Sequence, residues 1–382
     1  MEIYVVKSGD TVDTIATQYG ISPESIIYNN QLVYPYSLAI GQALLLSVGT
    51  SDTAKPSAFT NGYAYPFITD SVLNETLPYL STLSVFSYGF TPEGVLIPPA
   101  YDDNFMISAA YRYNTNPVLT LTPFGPDGEF NNYLITTLVN DETVKNTLFQ
   151  NLLATMQEKG FAGVDIDFEF ILPEDRIPFA DFVADTHAFL SPYGYTVSVA
   201  LAPKTSDNQP GLLYEGKDYG LLGEAADSVL LMTYEWGYTY GPPMAVAPIN
   251  KVREVVEYAL TRIPASKIDL GIPNYGYDFT LPFQRGISKA RTINNLEAVE
   301  LAIRYGVPIS FDEVAMSPYF QYEDEGMLHE VWFEDVRSLR EKYALLTEYG
   351  LRGIGVWQIM NFFRAAWLLF EDSYQIIKRP DS

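Results

Sequence analysis

The 382-residue sequence contains no cysteine, which removes disulfides, thiolate metal sites and a cysteine nucleophile together. Histidine is almost as scarce. His187 and His329 stand far apart and outside any ligand-spaced pattern, so neither a histidine-rich metal centre nor a histidine-based triad fits. Basic residues are outnumbered, 23 Lys and Arg against 47 Asp and Glu, and a formal charge of -24 would repel a nucleic acid or an anionic membrane surface at long range. No apolar run reaches ~18 residues, the length of a spanning helix. The opening MEIYVVKSGDTVDTIA has no long apolar segment of the secretory type, and the expectation is a chain not exported by an ordinary signal.

What is present is a large apolar fraction, 47%, and an excess of aromatic residues, with 29 Tyr and 22 Phe. Core packing accounts for most of these rings. Tyrosines also supply what a sugar needs, a flat face to stack on and a hydroxyl to bond. With cysteine absent and histidine rare, any chemistry rests on carboxylates and tyrosines.

The first 48 residues read as a self-contained unit: a strand and turn (IYVVKSGDT), a short helix ended by Gly20, a second helix with Ser22 as N-cap and Pro23 at its first position, and a closing strand (QALLLS). This βααβ order, with SGDT early and IGQALLL late, resembles the LysM module, which binds N-acetylglucosamine-containing glycans. The resemblance implies a shallow sugar groove lined by Gly9, Asp10, Thr11 and Val12 on one side and by Leu38, Ala39 and Ile40 on the other. Asp10 and Thr11 can equally cap the helix that begins beside them. Residues 49–58, small, polar and proline-containing, read as a linker with a mean reach of roughly 17 Å, a tether that does not require docking.

From residue 59 to 382, eight strand-like runs alternate with amphipathic patterns, and no glycine-rich phosphate fingerprint is present. The expected fold class is α/β, a (β/α)8 TIM barrel. The seventh connection is too long for one helix. Residues 278–349, approximately, are expected to form a small α+β insertion on the catalytic rim, within which PISFDEVAMSPYFQYEDEGMLHEVWFEDV reads as two or three antiparallel strands.

The fourth strand, GFAGVDIDFEFI, carries three carboxylates two residues apart. Alternation along a strand puts Asp165, Asp167 and Glu169 on one face at ~6.6 Å intervals, pointing into the barrel. Val164, Ile166, Phe168 and Phe170 then face the helices. Glu169 lies nearest the C-terminal rim, where barrel enzymes place their chemistry. Carboxylates so close raise one another's pKa, so a proton is expected to be shared along the row, with Glu169 held protonated as a general acid. The alternatives are pairing with buried basic residues, Lys204 being the main one in the strands, or a metal site, although hard cations usually draw ligands from several strands or a loop.

The segment AGVDIDFE resembles the D-G-x-D-x-D-x-E signature of family 18 glycoside hydrolases, with Ala162 in place of the first Asp. LLMTYEWG resembles the family's sixth-strand M-x-Y-D, with Met232 and Tyr234 in place and Glu235 replacing Asp. Trp357 in GVWQIM stands where the family keeps a Trp under the reacting sugar. The resemblance implies a retaining, substrate-assisted mechanism without cofactor or metal. In it Glu169 is acid and then base, Asp167 orients the substrate acetamido group, and Asp165 shares its proton. Tyr234 bonds the acetamido oxygen and Trp357 forms an apolar floor. Glu235 either bonds a sugar hydroxyl or braces neighbouring Tyr and Trp groups. Tyr88, Asn274 and Tyr275, at the ends of the second and seventh strands, are further subsite candidates.

A LysM module followed by such a barrel, with LAPKTS after the fifth strand and MTYEWGYTYGPPMAVAPI after the sixth, resembles the spore-cortex peptidoglycan hydrolases of endospore-forming bacteria. These often carry two LysM repeats where this chain has one. The resemblance implies an N-acetylglucosaminidase located in the spore layers, whose partner is peptidoglycan or another N-acetylglucosamine-containing glycan, with no nucleic acid or membrane, acting as a monomer. The competing readings are a chitinase and a catalytically inert lectin on the same barrel. The intact Glu169 disfavours the lectin.

Overall fold

The computed structural model describes residues 1–49, 54–125, 128 and 130–379. Residues 50–53 of the expected linker, and 126, 127, 129 and 380–382 of the expected barrel domain, lie outside the described residues.

The N-terminal unit runs β1 (Glu2–Val5), α1 (Val12–Tyr19), α2 (Pro23–Asn29) and β2 (Ala43–Leu46), with β1 and β2 antiparallel. Thr11 caps α1 in a reciprocal box with Thr14, Ser22 caps α2 ahead of Pro23, and Gly20 ends α1 in the left-handed region, φ 65°. Tyr4, Val12, Ile15, Ile26, Leu44 and Leu46 form its core.

The barrel strands are β3 (Ser57–Ala64) and β4 (Thr82–Phe90), which carries a two-residue partner β5 (Leu96–Ile97), then β6 (Asn116–Leu121), β7 (Gly163–Ile166), β8 (Thr196–Leu201), β9 (Ser228–Leu231) and β10 (Ile268–Pro273). Between β10 and the last barrel strand lies an insertion with β11 (Gly276–Leu281), β12 (Arg291–Ile293), β13 (Ser310–Asp312), β14 (Ser317–Asp324) and β15 (Met327–Trp332). The barrel then ends with β16 (Gly353–Trp357) and a short β17 (Gln375–Ile376) on its outside. The eight barrel strands are parallel neighbours, and pairing of β3 with both β16 and β4 closes the ring. All eight expected strands are present. The first starts at Ser57, inside the stretch read as linker, because Ser57 and Ala58 pair with Gln375 and Ile376 of β17, ahead of the pairing of Phe59 and Thr60 with Gly353 and Ile354 of β16. A Cβ on Gly353 would sit 2.0 Å from the Phe59 carbonyl oxygen, so glycine permits that approach.

Around the barrel lie α3 (Asp70–Thr76), α4 (Asn104–Arg112), α5 (Asn132–Asn140), α6 (Glu142–Lys159), α7 (Arg176–Leu190), α8 (Tyr219–Ala225) and α9 (Ile249–Leu260). The insertion holds α10 (Asn295–Tyr305), and α11 (Val336–Tyr349) and α12 (Arg364–Ser373) complete the outer ring. The insertion is a five-stranded antiparallel sheet: the segment PISFDEVAMSPYFQYEDEGMLHEVWFEDV supplies three strands, β13 to β15, as expected, and β11 and β12 add two more. Its folded body ends at Trp332, so the expected boundary at 349 took in a barrel helix: α11 buries Leu339, Tyr343 and Leu346 in the barrel core.

The two domains are docked, which the linker did not require. Leu45, between two leucines that face the LysM core, is 0% exposed and packs with the barrel's hydrophobic core. The Ile309 amide donates to the Ile40 carbonyl at 2.8 Å, and Arg337 donates to the Gly41 carbonyl at 3.1 Å. Gln31 accepts from the Arg364 amide at 2.6 Å and donates to the Phe362 carbonyl at 3.2 Å.

Candidate active site

The strand carrying the carboxylates ends at Ile166, earlier than expected, but the amide of Asp167 still donates to the Leu121 carbonyl at 2.9 Å, so the alternation continues beyond the last ladder pair. Phe168 packs against Phe179 and Phe182 of α7, which leaves Asp165, Asp167 and Glu169 for the inner side. Asp165 is deepest: Oδ1 accepts from the Ser198 hydroxyl at 2.6 Å and Oδ2 from the Tyr63 hydroxyl at 2.8 Å. Burial raises its pKa, and those two bonds oppose the rise. Asp167 is also buried, and its Oδ1 has no hydrogen-bond partner among the described residues. Burial pushes its pKa well up, and the neighbouring charges of Glu169 and Asp165 push the same way. Glu169, more open, is raised by burial.

A cation does serve the row, and it is not Lys204. Lys217 is fully buried, donates to the Ala200 carbonyl at 3.2 Å and favours the ionised forms of Asp167 and Glu169. Burial in turn lowers its own pKa to about 8 against the pull of those two carboxylates. Lys204 instead donates to the Lys217 carbonyl at 2.8 Å and the Asp207 carbonyl at 3.0 Å, pinning the segment that delivers Lys217. Lys217 escaped the sequence reading because it lies outside the strands, in the connection from β8 to α8.

Tyr234, Met232 and Glu235 line a cleft of ≈ 160 Å³ with Glu169, and Tyr214 and Trp236, not anticipated from sequence, line it too. Gly271 makes room for the Tyr234 ring: a Cβ there would lie 2.8 Å from its Cε1. Burial, and then the Asp167 and Glu169 charges, raise the pKa of Tyr234, which keeps it a hydrogen-bond donor. Glu235 sits at φ 67°, uncommon for a residue with a side chain. Although the residue is exposed at the rim, its Oε1 accepts from the hydroxyls of Tyr275 and Tyr277, the latter at 2.8 Å. Its carboxylate therefore braces tyrosines, one of the two roles considered for it. Tyr275 is buried with its hydroxyl committed to Glu235.

Trp357, at the end of β16, meets Phe86 at 4.9 Å, Tyr63 at 5.8 Å and Tyr65 at 6.1 Å between ring centroids. From Tyr65 the rings continue outward through Phe67 to Tyr101, which are 57% and 62% exposed. Asn274 donates its side-chain amide to the carbonyls of Gln358 and Asn361 at 3.0 and 2.9 Å, bracing the loop after Trp357. Tyr88 is corrected. It is fully buried, bonded to Asp103 and packed edge-on against Phe161. The pairing of β4 with β6 slips between Val85 and Tyr88, so the alternation breaks, and Phe86 meets Trp357 while Tyr88 turns to the helix layer.

On the LysM unit, Asp10 accepts from the Tyr4 hydroxyl at 2.8 Å and the Lys7 amide at 2.7 Å, which holds its carboxyl below the usual range. Gly9, at φ 87°, and Thr11 are exposed, as is the Ile40 side chain, whose carbonyl is engaged by the barrel domain.

A closed parallel barrel with a carboxylate row at the C-terminal end of its fourth strand, facing a tyrosine and a tryptophan, defines a class of glycosidase. The chain belongs to glycosyl hydrolases family 18, which matches residues 78–361, and residues 4–47 match the LysM domain. It is 35% identical to the cortical fragment-lytic enzyme of Bacillus subtilis (strain 168) over 99% of each chain. It is 37% identical to the Bacillus anthracis cortical fragment-lytic enzyme, over 99% of this chain and 100% of that one. The crystal structure of the Bacillus cereus spore cortex-lytic enzyme SleL superposes with a TM-score of 0.94 at 33% identity, covering 100% of this chain and 99% of that one.

Proposed function

We propose that the protein is a retaining N-acetylglucosaminidase that cleaves spore-cortex peptidoglycan fragments by substrate-assisted catalysis, with Glu169 as the proton-transferring group. The observation that carries this reading is the unpaired, buried Oδ1 of Asp167 beside a raised-pKa Glu169. A buried acceptor without a partner is costly unless a ligand supplies the donor, and the N–H of a 2-acetamido group is such a donor.

In the first step Glu169 gives its proton to the glycosidic oxygen as the C1–O bond breaks. The acetamido carbonyl oxygen attacks C1 and forms an oxazolinium ion. Asp167 accepts the acetamido N–H and balances the positive charge, while the Tyr234 hydroxyl donates to the acetamido oxygen. Water then attacks C1, giving its proton to Glu169, and the acetamido group reforms. Asp165, held by Ser198 and Tyr63, biases the proton shared with Asp167. Trp357 forms the floor, and Tyr65, Phe67 and Tyr101 extend it along the glycan. No cofactor is needed in this scheme.

Gly9, Asp10, Thr11 and Ile40 bind glycan on the LysM unit, and the protein works as a monomer in the spore layers, a location supported by the Bacillus relatives named for cortex lysis.

The test is incubation of wild type and Glu169→Gln with cortex fragments and with chitooligosaccharides, resolving products by mass spectrometry. Wild-type release of N-acetylglucosamine-ended muropeptides, absent from the variant, is expected. Cleavage confined to chitooligosaccharides would make the protein a chitinase, and binding without cleavage would make it a lectin.

A further inference from the structure

In a chain of net charge -24 an exposed cation readily finds a carboxylate: Arg253 pairs with Glu348, Arg262 with Asp207, Arg291 with Glu297 and Arg364 with Glu75. Arg285 and Lys289 do not. Both are exposed, and among the described residues neither side chain has an ion pair or a hydrogen bond. They share one loop, 282–290, which joins β11 to β12. Its backbone is a fixed turn: the Gln284 carbonyl accepts from the amides of Ile287 and Ser288 at 3.0 and 2.8 Å, and the Gln284 amide donates to the Ser288 hydroxyl at 2.9 Å. The loop stands on the rim of the catalytic cleft. Tyr277 of β11 donates to Glu235, which lines the cleft with Glu169, and the Ala290 amide donates to the Thr239 carbonyl at 2.7 Å. Thr239 lies between the exposed rings of Tyr238 and Tyr240, in the connection that also carries Glu235. Ala290 and Tyr277 belong to an apolar cluster against which Tyr234 and Trp357 pack.

A guanidinium and an ammonium held a few residues apart, with no partner of their own, suit carboxylates on a ligand. The overall acidity of the protein does not forbid this, because at physiological salt charges farther off than about 8 Å are largely screened. A homopolymer of N-acetylglucosamine has no carboxylate to offer. A peptidoglycan strand does, on the peptide branches of its muramic residues. We propose that Arg285 and Lys289 form a carboxylate-recognition rim, which engages an acidic peptide branch of the glycan lying in the cleft. The enzyme then prefers a carboxylate-bearing aminosugar polymer to a neutral one of the same length. The inference rests on the peptidoglycan reading above and names the part of that substrate that the barrel recognises beyond its sugars.

The experiment uses the full chain in the Glu169→Gln background, so that no probe is turned over, and measures affinity by titration calorimetry. The probes are a peptidoglycan tetrasaccharide bearing tetrapeptides with free carboxylates and the same molecule with every carboxylate converted to its methylamide. Tighter binding of the free-carboxylate probe is expected, with a preference that shrinks when about 1 M salt is added. Adding Arg285→Ala and Lys289→Ala together is expected to cut that preference about five-fold, the scale of two exposed ion pairs. Arg112→Ala with Arg340→Ala removes the same charge from α4 and α11 and is expected to leave the preference intact. Melting curves verify folding, and the salt titration tests the proposal without any substitution in the loop. The proposal is overturned if the blocked probe binds as tightly as the free one, if the loop variant keeps the full preference, or if the control variant loses as much. Failure of the peptidoglycan reading looks different: neither probe binds, and the rim falls with it.

Discussion

Tyr63 donates its hydroxyl to Oδ2 of Asp165 at 2.8 Å, joining the first barrel strand to the fourth across the interior. The bond opposes the burial that raises the Asp165 pKa, so it decides how readily the shared proton leaves Asp165 for Asp167. Tyr63→Phe is expected to raise that pKa further and to lower kcat at neutral pH about ten-fold, the value of one buried hydrogen bond. The pH–rate profile of the variant measures this, and an unchanged acidic limb would remove Tyr63 from the proton network.

Lys217 favours the ionised forms of Asp167 and Glu169. Lys217→Met is therefore expected to raise both pKa values and to carry the alkaline limb of kcat/KM to higher pH, because Glu169 keeps its proton longer. An alkaline limb that stays in place would mean that the ammonium acts only in packing.

Asp167 has a native pKa well above its unfolded value of about 3.9. In the window between the two, the native state binds more protons than the unfolded state, so stability is fully present below the unfolded pKa and is lost as pH rises through the native one. Asp167→Asn removes this loss. Its melting temperature is expected to exceed that of the wild type at pH 7 and to match it near pH 4. The opposite order at pH 7 would show that the carboxylate is stabilised rather than strained by its surroundings.

Gly41 sits at φ 83°, and a Cβ there would lie 1.9 Å from the Ile309 carbonyl oxygen. Gly41→Ala is expected to separate the LysM unit from the insertion, seen as a larger radius of gyration by small-angle scattering. Hydrolysis of a short soluble substrate should be unaffected. A variant as compact as the wild type would place the weight of docking on Leu45 and Gln31 instead.

The barrel, its eight strands and the carboxylate row were legible because each rests on local patterns: period-two alternation, helix caps and one strand's spacing. What was illegible depends on contacts made elsewhere. Tyr88 was misplaced because a slip in the pairing of β4 reverses the alternation between Phe86 and Tyr88, and no residue in SVFSYGF announces a slip. Lys217 was missed because a long connection, with no periodicity of its own, brings it under the strand ends. The docked LysM unit did leave a sign. QALLLS does not alternate, and a strand apolar on both faces is covered on both faces. Leu44 and Leu46 serve one core while Leu45 serves the other.

A glycan-holding module on a loose string would let the catalytic barrel wander over many bonds of the polymer. Here Leu45, Gln31 and the Ile40 carbonyl clamp the module to the barrel. The module and the catalytic cleft are then a set distance apart, so the spacing between them is a property of the fold and not of a linker.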